Sequence, residues 1–185
     1  MTRTIIVQAR GLSPLLMHPV TENADRVSMA ELPGGIEHLL MFNGAGDLAF
    51  PAPWLKHSLH VTHTCTQFGQ SQFKQVVKQS VHFKGEWIRL TDAHGQEPEY
   101  VEYAHPRHVS KKSRRVVFVR CPQFNEWGFE AEISFEEPSV NERLLQSIFA
   151  NAGRDKGIGL FSPQYGGKNT FGRFEAVSWR WGSLV

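Results

Sequence analysis

The chain has 185 residues and a mass of 21.0 kDa, with 41% hydrophobic, 21% charged and 11% aromatic residues. That is the size of one ordinary domain, and the composition excludes a wholly disordered tail, a coiled coil and a collagen-like repeat. No apolar run approaches the roughly 18 residues of a membrane span, the opening residues have no signal-peptide core, and two cysteines, Cys65 and Cys121, are too few for a disulfide framework. A cytoplasmic protein with no membrane partner is expected. The net charge is only +2, yet the signs are segregated. Leu48 to Gly85 holds no acid but contains Lys56, Lys74, Lys78 and Lys84; His105 to Arg115 is again free of acid; Glu126 to Glu137 has five glutamates and no Lys or Arg. Such separation can leave a positive face on a near-neutral molecule.

In chain order, Thr4 to Ala9 reads as a first strand stopped by Gly11. Ser13 to Asp47 is punctuated by Pro and Gly and reads as loop or insertion. Prolines 51 and 53 then introduce a helix expected from about Pro53 to Thr64. Gln67 to Gln79 is rich in Gln and Lys and is expected to be exposed; Val81 to Leu90 suits an accessory strand or hairpin, and Thr91 to Pro98 a turn. Arg115 to Arg120 is β-branched and aromatic, hence a strand, with Pro122 to Asn125 as its connection. Glu126 to Glu136 alternates strictly, placing Trp127, Phe129, Ala131, Ile133 and Phe135 on one face. Pro138-Ser139 is expected to start a helix with apolar residues Val140, Leu144, Leu145, Ile148, Phe149 and Ala152, and Gly153 to end it. Phe171 to Trp181 reads as a last strand. The order is strand, helix, strand, strand, helix, strand, a ferredoxin-like α+β arrangement (βαββαβ) with a glycine-rich loop before the last strand and sizeable insertions around the first helix.

That loop, Gly157 to Phe174, is the most specific feature. Glycines let backbone amides approach an anion. Lys168 and Arg173 add phosphate-seeking charge, and Phe161, Tyr165, Phe171 and Phe174 are interleaved as stacking platforms would be. The alternative is a long structural loop whose aromatics belong to the core. Walker spacing is missing, so it is not a P-loop. The segment His105 to Arg115, with Arg107, Lys111, Lys112, Arg114 and Arg115, suits phosphate-backbone contacts, or else is a solvated basic loop. His57, His60 and His63 with Cys65 invite a zinc reading, but this spacing spreads the rings too widely around a helix, and no metal is expected. Exposed or capping histidines are the plainer reading.

The element order and the loop together resemble the RAMP superfamily, the ferredoxin-like RNA-binding and RNA-processing proteins of CRISPR complexes. Gly157-Ile158-Gly159, Lys168 and Gly172-Arg173-Phe174 fit the family's loop pattern, and Gly11 to His18 looks like the segment after the family's first strand. The run from Val116 through Arg120, Trp127 and Ala152-Gly153 to Gly172-Arg173-Phe174 is also similar to small phage and prophage proteins. The resemblance implies one RAMP-like domain over 1–185, with 14–50 and 67–112 as insertions or loops. It implies nucleic-acid binding without a nucleotide cofactor, often in a homo-oligomeric assembly, and the leading reading is non-catalytic binding of single-stranded RNA or DNA in a homo-oligomer or with other complex subunits. The nucleic-acid contacts would be Arg107, Lys111, Lys112, Arg114, Arg115, Phe161, Tyr165, Gly166, Gly167, Lys168 and Arg173. Two alternatives stand beside this. One is a metal-independent endoribonuclease, since RAMP nucleases often place a catalytic histidine on the first helix, where His57 or His60 would lie. The other is an adaptor that docks a partner subunit.

Overall fold

A computed structural model describes residues 1–18, 35–62, 70–108, 116–163 and 170–182. The main sheet is antiparallel and centres on β1 (Thr2–Gly11) and β8 (Gly128–Glu136), paired from Thr2↔Glu136 to Arg10↔Gly128. β9 (Phe174–Trp181) closes the other side of β1, with a register shift at Gln8/Ala9. The far edge of β8 is shared by two short strands. β4 (Val81–Phe83) pairs with its C-terminal half and β5 (Trp87–Thr91) with its N-terminal end, and β3 (Ala49–Pro51) lies outside β5.

The expected alternation holds along β8. Phe129, Ala131, Ile133 and Phe135 are buried, as is Trp127 just before it, and they face Ile5, Val7 and Ala9 of β1 in one core. Helices α1 (Ala52–His60) and α3 (Glu142–Asp155) pack on this face through Trp54, Leu55, Leu59, Leu145, Ile148 and Phe149. Burying a side chain of this size is worth about 1.5–3 kcal/mol, so the apolar face fixes which way the sheet looks. Phe149 and Phe174 meet edge to face with centroids 5.2 Å apart.

A second, three-stranded sheet runs β2 (Leu15–Leu16), β7 (Val116–Phe124), β6 (Val101–His108). Here the structure departs from expectation. The strand placed at Arg115–Arg120 runs on through Pro122 as β7, and it pairs with β6 and β2 rather than with β8. The segments 14–50 and 67–112 hold β2, a short 3-10 turn at Ile36–Leu39, β3, α2 (Gln70–Ser80), β4, β5 and β6. α2 replaces the exposed Gln/Lys-rich stretch because Phe73 and Val77, one helical turn apart, are both buried against the core.

α3 also differs at both ends. Asn141 caps it, its side chain accepting from Leu144 N at 2.9 Å, so Pro138-Ser139 lies ahead of the helix. Gly153 sits inside the helix against β9, where a Cβ would overlap the Phe174 carbonyl oxygen. The glycine that turns the chain out of α3 is Gly157, at φ +65°. No described helix is long and apolar enough to cross a membrane.

Candidate nucleic-acid interface

The described parts of the glycine-rich loop are stitched to the segment just after β1. Ile158 N donates to Gly172 O at 2.9 Å, Leu160 N to Leu16 O at 2.9 Å and Gly172 N to Pro14 O at 2.8 Å. Leu12 N donates to Arg173 O at 2.7 Å, Arg173 N to Ser13 Oγ at 3.0 Å, and Ser13 Oγ to Thr170 O. Trp127 Nε1 reaches the carbonyl of Ser13 at 2.8 Å from the start of β8. The two stretches that resemble the RAMP pattern, Gly11–His18 and Gly157–Phe174, thus form one unit.

Gly159 and Gly172 explain the glycine content here. Both have positive φ, +81° and +67°, and both press backbone against backbone, at Leu16 O and Ile158 O. Of the two amides, Gly172 N is used within the protein, donating to Pro14 O. Tyr165, Gly166, Gly167 and Lys168 fall outside the described residues.

Phe161 is half-buried at φ +57°. It packs with Leu160, Phe171 and Tyr103 on the small cluster of Leu16, Leu39 and Cys121. Phe174 is buried in the main core, and Phe171 meets Tyr103 edge to face at 5.3 Å. The aromatics divide accordingly, with Phe161 and Phe171 at the seam between loop and second sheet. Cys121 lies beneath this seam, its thiol pushed up to about 12 by burial, and is chemically inert. Arg173 is half-buried, and its Nε is shielded from solvent with no hydrogen-bond partner.

Lys111, Lys112, Arg114 and Arg115 lie outside the described residues. They fall in the connection between β6 and β7, and Arg107 pairs with Val117 at the backbone near its start. Five residues of strand separate Tyr103 at the loop seam from His108 at the end of β6, a reach of about 17 Å. Tyr103 at the loop seam and His108 at the end of β6 thus lie on one strand of the small sheet.

The glutamates of β8 pair with strands other than β7. Glu130 meets Arg180 at 2.6 Å and Glu132 meets Lys84 at 2.9 Å, while Arg120 pairs with Glu102 of β6 at 2.6 Å. With its carboxylates matched by strand neighbours, this sheet face has no excess positive charge for a phosphate.

On α1, His57 is exposed and His60 half-buried. Burial, then the charges of Lys56, His57 and Lys78, lower His60 to about 4. Such a ring is neutral near pH 7 but a weak base, poorly matched to abstracting a ribose proton. His63 and Cys65 lie outside the described residues, and among the described residues no three His, Cys, Asp or Glu side chains come together as metal ligands.

No family model and no curated protein matches the chain. Solved structures do. A chain in the cryo-EM structure of the Type III-B Cmr-beta bound to cognate target RNA aligns over 97% of this chain with a TM-score of 0.60 and 14% identity. This chain has that fold. The likeness is one of fold, and this chain spans only 60% of the other's length. The crystal structure of Cmr6 from Pyrococcus furiosus aligns over 96% of this chain and 98% of its own, at a TM-score of 0.48 and 10% identity.

The sequence reading missed β6 and the Ser13 clasp. It also missed a slot beside α1 that contains Lys56 and Trp87, for which the only signal was an aromatic residue in an otherwise alternating strand.

Proposed function

We propose that this protein binds the backbone of single-stranded nucleic acid without cleaving it, as a homo-oligomer or as a subunit of a ribonucleoprotein-like assembly. In this reading the core is ferredoxin-like, with β4 and β5 together taking the place of the second strand. The observation that supports it is the double anchoring of the glycine-rich loop on the segment after β1, in a fold shared with a chain of an RNA-bound Cmr-beta structure. Anchored ends with an aromatic and basic middle are what a binding loop on a scaffold requires. Phosphate contacts come from Lys168, Arg173 and the β6–β7 connection with Arg107, Lys111, Lys112, Arg114 and Arg115. Tyr165 supplies stacking, Gly166 and Gly167 let the strand approach the backbone, and Phe161 supports the loop's base.

The test is the salt dependence of single-stranded RNA binding, followed by fluorescence anisotropy. Each phosphate contact contributes about 0.7 to the log–log slope, so Lys111→Ala, Lys112→Ala and Arg114→Ala combined should weaken binding to every sequence and flatten that slope. Tyr165→Ala should cost about 1–3 kcal/mol of affinity with its melting temperature unchanged. If neither variant differs from the parent, the loop and the connection are not the interface.

A further inference from the structure

Beside α1, away from the glycine-rich loop, lies a slot of about 440 Å³ lined by Pro51, Pro53, Lys56, Phe83, Glu86 and Trp87. Its frame is fastened by backbone. Pro51 is registered opposite Trp87 between β3 and β5, and Ala52 N donates to Glu86 O at 2.8 Å. Trp87 is 38% exposed, one of the few large apolar side chains among the described residues left open to solvent, while Phe83 is half-buried against the core. The slot therefore offers aromatic and proline surface that the fold itself leaves uncovered.

Its lining carries one cation, Lys56, and one acid, Glu86. Lys56 lines the slot and stands one helical turn before His60; Lys78 stands in the last turn of α2, just ahead of β4, whose His82 also lines the slot. Aromatic surface beside the Lys56 ammonium suits a ligand that is planar at one end and anionic at the other. Glu86 is the one acid among the described residues that line the slot, and a carboxylate accepts from amino groups such as those of adenine or cytosine, while it repels the carbonyl edge of uracil.

We propose that this slot takes one nucleotide, with its base stacked on Trp87 and its phosphate held by Lys56, and that it favours amino-bearing bases. The setting rests on the nucleic-acid reading above, but the site is tested separately.

AMP and UMP are titrated into the whole protein while the indole N–H resonances are followed by NMR, with Trp87 assigned through Trp87→Phe. AMP should move the Trp87 resonance and leave the other four tryptophans in place, which also reports that each variant is folded. Trp87→Ala should weaken AMP binding, read from the ligand's own resonances, by about five- to a hundredfold. Trp87→Phe should retain most of it, Lys56→Ala should weaken it about two- to fivefold, and UMP should bind less well than AMP. AMP that leaves Trp87 unmoved, or that binds equally to parent and Trp87→Ala, overturns the slot. Single-stranded RNA is measured in parallel. RNA binding without an AMP response removes this site and leaves the broader function standing; an AMP response without RNA binding does the reverse.

Discussion

Gly172 and Gly46 share a left-handed backbone and differ in what surrounds them. At Gly172, φ +67°, an added methyl would overlap the Ile158 carbonyl oxygen; at Gly46, φ +86°, it would meet nothing within 4 Å. Left-handed backbone costs a residue with a Cβ about 1–2 kcal/mol, and forcing extra volume into packed structure adds about 1–3. Gly46→Ala should therefore show only the first cost, and Gly172→Ala about twice as much, in urea midpoints measured side by side. A smaller effect at Gly172 would mean that the loop's foot gives way easily. His60 offers a test in pH. Its ring is held near 4 in the fold against 6.5 in the unfolded chain. The unfolded chain takes up a proton as pH falls through 6.5, and the folded one resists until about 4, so the contribution is complete above 6.5 and lost across that window. Since the ring is half-exposed and screened by solvent, this amounts to on the order of 1 kcal/mol. His60→Gln should lose less stability than the parent between about pH 7 and pH 4.5, and parallel curves would show that His60 does not titrate this way.

Among the elements, α3 shows best how a boundary is decided. Apolar residues at helical spacing mark the helix body in the sequence, but its start depends on which side chain reaches a free amide, and that is Asn141. Asn141→Ala should cost about 1 kcal/mol and Asn141→Gly only a few tenths, as read by thermal unfolding, with Ser139→Ala neutral. The same distinction runs through the chain. β8 was legible because it is buried on one face only, so period two stands out. α2 was not, because its apolar residues are only Phe73, Val76 and Val77, set among Gln, Lys and Ser. β6 was hidden for another reason. Its identity lies in eight register partners on β7, and pairing through backbone leaves little trace in hydropathy. At the site, the glycines of the loop were conspicuous, but their use was not. Gly159 and Gly172 serve contacts with Leu16 and Ile158, and the matching half of that clasp, Ser13, lies far away in sequence.

Taken whole, the molecule is closed by the pairing of β1 with β9, which joins Gly11 to Phe174 and brings Phe174 into the core. About 160 residues separate those partners, and contacts of such separation slow folding because loop closure must precede their reward. The same distance is also a waiting time. At 5–20 residues per second of synthesis, β1 spends roughly 10–30 seconds outside the ribosome before β9 exists, with Ile5, Ile6 and Val7 on a strand whose edge has nothing to pair with. An unpaired edge of this kind is a template for any other chain nearby. The interval between the two strands is when this protein has the greatest need of a chaperone, and a chain interrupted before Phe174 would leave its central strand permanently open.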